Sequence, residues 1–151
     1  MYNDHLEQFT LTLADILKCI KKLKDNRMTA YGLRSSHVIV LYVLGRAPEG
    51  LTPAELADAG DVDKALISRV VAELTEKGFV ASVSEGGRRY KARLRLTDEG
   101  KELADYIAGA VSEIQRKVSG DIPPEDLEVF YRTLFVLQNN FHAMVDADKE
   151  D

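Results

Sequence analysis

Cysteine is nearly absent: the 151 residues contain one, Cys19. A single thiol excludes an internal disulfide and any multi-cysteine zinc site, and it fits a reducing compartment. Long apolar runs are missing too, none approaching the roughly 18 to 20 residues of a membrane span. The start, MYNDHLEQ, has neither the basic opening nor the apolar stretch of a signal peptide. A cytoplasmic protein with no membrane partner is therefore expected. Histidine is scarce, and His5, His37 and His142 lie far apart with no HxxxH or CxxC spacing, so no metal site is expected unless the three converge in space. No P-loop, GxSxG, dinucleotide fingerprint or zinc-hydrolase motif occurs. The chain does not read as an enzyme, and no cofactor is implied.

What is present is an ordinary globular composition, 45% hydrophobic and 30% charged, in a length that suits one domain with a real core. The net charge of -5 is unevenly spread. Residues 98–151 hold thirteen acidic and five basic side chains, residues 61–97 five acidic and eight basic, and residues 1–60 seven of each. Screening confines a charge's field to about 8 Å at physiological salt, so the local excess governs contact with a polyanion. Five of those cations, Arg88, Arg89, Lys91, Arg93 and Arg95, fall within SEGGRRYKARLRLT.

Spacing supplies the elements. Leu6, Phe9, Leu13, Ile16, Leu17, Ile20 and Leu23 mark an amphipathic helix, with Lys21, Lys22 and Lys24 at its end. SHVIVLYVLG is apolar nearly all round, so a helix there is buried on most sides, and Gly45 can stop it. In LTPAELADAG, Thr52, Pro53 and Glu55 form a capping box that opens a short helix closed by Gly60. Asp63 caps the next helix, whose inner side carries Leu66, Ile67, Val70, Val71 and Leu74 and which ends at Gly78. The pair makes a helix-turn-helix.

Beyond Gly78 the pattern alternates, predicting two strands around Gly86 and Gly87. A two-residue turn there would set Val83 opposite Tyr90, Ala81 opposite Ala92 and Phe79 opposite Leu94, with Lys91, Arg93 and Arg95 on the solvent face. Thr97 then caps a long helix with Leu103, Ile107, Val111, Ile114 and Val118 on its buried side. A last helix carries Leu127, Phe130, Tyr131, Leu134, Leu137 and Phe141. The apolar stripes of the first and last helices must pack on each other or on a second chain.

A helix-turn-helix followed by a hairpin is a winged-helix arrangement, mainly α with a small β-hairpin (α+β). The run LTPAELADAGDVDKALISRVVAELTEKGFVASVSEGGRRYKARLRLTDEGKEL resembles the core of the MarR family of bacterial transcriptional regulators, above all in SRVVAELTEKGFV and LTDEG. The resemblance implies a single domain over residues 1–151, with a DNA-binding lobe at about 34–97 and dimerisation helices at about 4–26 and 98–145. It also implies a homodimer that binds a palindromic double-stranded operator, as a repressor responding to a small-molecule effector. The second helix of the motif would enter the major groove and the wing would reach the minor groove. Lys64, Ala65, Ser68 and Arg69 would then face DNA, and Arg88, Arg89, Lys91 and Arg93 would serve the wing.

Other readings stand beside these. Arg69 could pair with Glu73 at i+4, and the wing cations could merely guard an edge strand. Many family members have an acidic residue before the tip arginine, where this chain has GGRRY and the nearest acid is Glu85. His37 reads as a capping or core residue and Tyr42 as core. Cys19 reads as a packed thiol, or as a redox sensor aided by Lys18, Lys21 and Lys22. A winged-helix protein-interaction module that does not bind DNA is the alternative from another class.

Overall fold

The computed structural model describes residues 3–84 and 92–149. In chain order they form α1 (Asn3–Met28), a 3-10 turn (Thr29–Tyr31), α2 (Ser35–Gly45), α3 (Pro53–Gly60), α4 (Lys64–Glu76), β1 (Val80–Val83), β2 (Arg93–Leu96), α5 (Asp98–Ser119) and α6 (Pro124–Ala147). They divide into two compact units, Met1–Ala110 and Val111–Asp151, with the boundary inside α5.

The first unit is built around α2. That helix buries His37, Val38, Val40, Leu41 and Leu44, as its all-round apolar sequence requires. α3 and α4 pack against it, adding Leu56, Ile67, Val70 and Leu74 to the core, and Leu103 and Ile107 of α5 join the same cluster. At the starts of α2, α3 and α4, side chains meet one or two of the free N–H groups. Asp25, at the end of α1, accepts the Ser35 N–H at 2.7 Å, and His37 Nδ1 accepts the Arg34 N–H at 3.0 Å. Thr52 and Glu55 form the expected reciprocal box, with Thr52 N–H donating to Glu55 Oε2 at 2.8 Å and Glu55 N–H to Thr52 Oγ1 at 3.2 Å. Asp63 Oδ1 accepts the Leu66 N–H at 2.9 Å. The Lys21 ammonium and the Ser35 N–H together hold the Asp25 carboxyl down at about 2.

β1 and β2 are antiparallel, with Val80 opposite Leu96, Ala81 opposite Arg95, Ser82 opposite Leu94 and Val83 opposite Arg93. This register lies three residues away from the one a Gly86-Gly87 turn dictates. Three is odd, so β1 exchanges faces: Val80 is buried, while Ala81 and Val83 share the outer face with Arg95 and Arg93. The register is set at the base of the hairpin. Leu94 exchanges two backbone hydrogen bonds with Leu51, at 2.7 and 3.0 Å, and Thr97 N–H donates to the Phe79 carbonyl at 3.1 Å. β2 is thus pinned from both sides. Its own faces are as expected, Leu94 and Leu96 inward.

The same junction explains the LTDEG segment. Thr97 Oγ1 donates to the Gly78 carbonyl at 2.6 Å and accepts the Gly100 N–H at 3.0 Å, joining the end of the α4 turn to the start of α5. Gly100 packs directly on β-hairpin backbone: a Cβ there would lie 2.0 Å from the Phe79 carbonyl oxygen. No side chain fits. Gly50 is constrained twice, by a φ of +79° and by the Leu94 carbonyl oxygen, 2.6 Å from where its Cβ would be.

In the second unit, α6 begins with Pro124 and has Glu125 and Asp126 in its first turn, where carboxylates suit the helix dipole. No residue of α6 is buried, and Phe130, Phe135, Phe141 and Met144 are exposed. α5 loses its cover along its length: Leu103 and Ile107 are buried, Ile114 is half-buried, and Val111 and Val118 are exposed. In the first unit Leu6, Leu11, Ile16 and Leu17 of α1 are likewise exposed.

Two outcomes follow for stability. Gly100→Ala forces the Phe79 carbonyl aside and should lower stability by about 3 kcal/mol, at the upper end of overpacking effects, read as a fall in urea midpoint. Asp25 titrates below its ordinary 3.8 in the fold. Its contribution is therefore complete above that value and disappears as pH falls toward about 2. In acid titrations followed by circular dichroism, Asp25→Asn should flatten the loss of stability across that window.

Candidate nucleic-acid interface

α4 has two sides. Ile67, Val70 and Leu74 are buried, Leu66, Val71 and Glu73 are half-buried, and Lys64, Ala65, Ser68 and Arg69 are exposed in its first two turns. The helix period brings these four onto one surface, and Asp63, which caps the helix, leads directly into it. Between α3 and α4 lies an open groove of about 400 Å³, lined by Pro53, Ala54, Lys64, Ile67, Ser68, Val71 and Ala72. Apart from Lys64 and Ser68, its lining residues are apolar.

The alternative i+4 pair with Arg69 is not the main contact of Glu73. Its Oε2 lies 2.7 Å from Nε2 of His37, which is only 1% exposed. That hydrogen bond, opposed by partial desolvation, holds the Glu73 carboxyl below its ordinary range, and the charges of Arg34 and Arg69 add to the effect. A lowered carboxylate stabilises the fold above its ordinary pKa and ceases to as pH falls through the lowered one. Arg69 keeps its guanidinium on the exposed face. His37 is both a capping and a core residue, since it closes the start of α2 and is buried.

The wing cations divide. Arg93 lies on the outer face of β2, as expected, but its Nη1 donates to the Gly50 carbonyl at 2.7 Å and lies 3.4 Å from Glu55 Oε2. Arg95 is held the same way, its Nε donating to the Glu49 carbonyl at 3.0 Å and its Nη2 pairing with Glu49 Oε2 at 3.3 Å. Glu55 therefore serves both the α3 cap and β2, and the hydrogen bond from Thr52 with the nearby Arg93 charge keeps its carboxyl lowered. Arg88, Arg89 and Lys91 lie outside the described residues.

Two further residues, Tyr42 and Cys19, differ from expectation. Tyr42 is exposed, because it points away from the side of α2 that α3 and α4 cover, and Arg46 both donates to its hydroxyl and sits 5.1 Å from its ring centroid. Cys19 is exposed rather than packed, like Ile16 and Ile20 beside it. Tyr31 and Tyr106, which the sequence did not single out, pair with ring centroids 5.5 Å apart. Among the described residues no group of three or more His, Cys, Asp or Glu side chains could hold a metal ion, and no helix is long and apolar enough to cross a membrane.

A helix-turn-helix with an exposed second helix, braced to a two-stranded hairpin, is a winged helix, and residues 31–89 match the MarR family model. The similarity to the MarR family spans these residues. Solved structures agree in fold. A MarR family transcription regulator superposes with a TM-score of 0.86 at 19% identity, covering 96% of this chain and 95% of that one. MepR of S. aureus, solved as a complex with DNA, gives 0.80 at 16% identity over 88% and 97% of the two chains. CouR of Rhodococcus jostii RHA1, solved bound to p-coumaroyl-CoA, gives 0.73 at 22% identity over 83% and 88%. Within this family fold, Arg93 braces the winged hairpin to the loop before α3. Arg93→Ala should thus reduce stability by about 1 kcal/mol through removal of the hydrogen bond to Gly50, measured by urea unfolding.

Proposed function

We propose that the chain is a sequence-specific DNA-binding transcriptional regulator that reads a palindromic operator as a homodimer. The observation that carries the reading is the exposed face of α4. Lys64, Ala65, Ser68 and Arg69 are displayed together on the second helix of the motif, beside a face whose apolar residues are buried. Such a helix fits the major groove of B-DNA, with Arg69 suited to bidentate contact with guanine and Lys64 to a phosphate. Arg88, Arg89 and Lys91 would supply the wing's contacts with the minor groove. Arg93 serves them indirectly, as a brace.

The dimer reading rests on the apolar faces of α1 and α6. Side chains such as Leu11, Leu17, Phe135 and Met144 are more than 60% exposed in a single chain. An exposed apolar helix face, as each unit carries, is rare on a monomer and usual at an interface. The related CouR binds an aromatic acyl thioester, which supports a small-molecule effector here and, with it, ligand-responsive repression. Repressor action and a cytoplasmic location complete the proposal.

Salt decides between this reading and a protein-interaction module on the same scaffold. Affinity for a random-sequence duplex should fall linearly on a log-log plot against salt. Replacing Arg88 and Arg89 together by Ala should make that line shallower by about one unit for each phosphate the wing no longer neutralises, and Arg69→Ala should cost about 1 to 3 kcal/mol of affinity for duplexes selected from a random pool. Binding to no duplex at low salt would dismiss the proposal. Sedimentation at micromolar concentration should give twice the chain mass.

A further inference from the structure

α4 is held to its unit by two kinds of contact. Ile67, Val70 and Leu74 bury apolar surface, which fastens the helix without direction and tolerates small rotations about its axis. Direction comes from the hydrogen bond between His37 Nε2 of α2 and Glu73 Oε2 of α4, 2.7 Å long. The ring's other nitrogen is held by the Arg34 backbone, with Nδ1 3.0 Å from the Arg34 N–H and 3.3 Å from its carbonyl oxygen, so that Nε2 faces Glu73. At 1% exposure the imidazole has no room to exchange these partners for water.

The helix carries that constraint to the exposed face. Four residues advance about 40° beyond a full turn, so Arg69 lies one turn before Glu73 on nearly the same line, and the Arg69 charge acts on the Glu73 carboxylate. Holding Glu73 to a buried, immobile ring therefore sets the rotation at which Arg69 and its neighbour Ser68 meet an approaching groove. A bidentate arginine contact requires both distance and angle. Attraction to phosphate requires neither to the same degree.

We propose that His37 and Glu73 form a positioning pair for base readout: the buried imidazole fixes the rotation of α4 through Glu73 and so aims Arg69 and Ser68. The proposal rests on the DNA-binding reading above. It predicts a particular separation of effects. Discrimination between sequences depends on the pair, whereas affinity for arbitrary DNA and its salt dependence do not.

The test uses the full chain, duplexes selected by it from a random pool, and scrambled duplexes of the same length and composition. Glu73→Ala removes the acceptor from a half-exposed position and should reduce the ratio of selected to scrambled affinity by about tenfold, the scale of one directional contact. Glu73→Gln loses the charge but retains an acceptor, and should keep the ratio within about twofold of the wild-type value. His37→Gln can accept from Arg34 and donate to Glu73 with its amide, and should also keep it. His37→Leu, which can do neither, reads the pair from its other side and should behave as Glu73→Ala. Wild-type protein that binds no duplex would overturn the DNA reading itself. Wild-type discrimination that persists in both Glu73→Ala and His37→Leu would overturn the positioning pair alone. Equal losses in Glu73→Ala and Glu73→Gln would assign the effect to charge and overturn it as well.

Discussion

The Phe79 carbonyl oxygen occupies the space where any side chain at position 100 would begin, and much of the first unit is arranged around that contact. Because the α5 backbone approaches so closely, Thr97 can reach three groups together: the Gly78 and Phe79 carbonyls behind it and the Gly100 N–H ahead. One threonine thereby ends the hairpin, starts α5 and fixes which residue of β1 faces which residue of β2. The buried positions of Val80, Leu94 and Leu96 follow from that alignment, and Leu103 and Ile107 are delivered to the same core by the helix that begins there.

Around this junction, polar side chains close the helix starts at the points where the apolar core would otherwise strand backbone N–H groups. Asp25 and His37 do so for α2, Thr52 and Glu55 for α3, Asp63 for α4. Several have a second role. Asp25 ties α1 to α2, Glu55 lies beside Arg93 of β2, and His37 reaches α4. Directional contacts between elements are thus made largely by residues that first serve a local cap, which makes the helix-turn-helix and hairpin a mechanically connected set.

The division between what the sequence disclosed and what it did not follows the range of the forces concerned. The helices, with their caps at Thr52, Asp63 and Thr97, were legible because each signal lies within three or four residues of the group it satisfies. The inward turn of Leu94 and Leu96 was legible from alternation. The register was not, since local reasoning placed the turn at the glycines while Leu51 and Phe79, distant in sequence, hold the strands from the base. Nor could spacing show that Arg93 reaches Gly50, 43 residues away, or that His37 meets Glu73 across 36. For the candidate interface, periodicity marked only the buried side of α4, and the row opposite was named from the family resemblance. The commitment of Arg93 and Arg95 to backbone carbonyls was not legible, because a cation on an outer strand face looks free until the neighbouring loop is in place.

That commitment changes the electric field of the wing's base. Arg93 and Arg95 each have a carboxylate within 3.4 Å, so at a distance each is felt as a dipole and not as a lone positive charge. A dipole's potential falls with the square of distance, faster than a single charge's even before ionic screening is counted. The base of the hairpin is therefore electrically quiet to a polyanion several nanometres away. It lends stiffness to the hairpin without broadcasting charge.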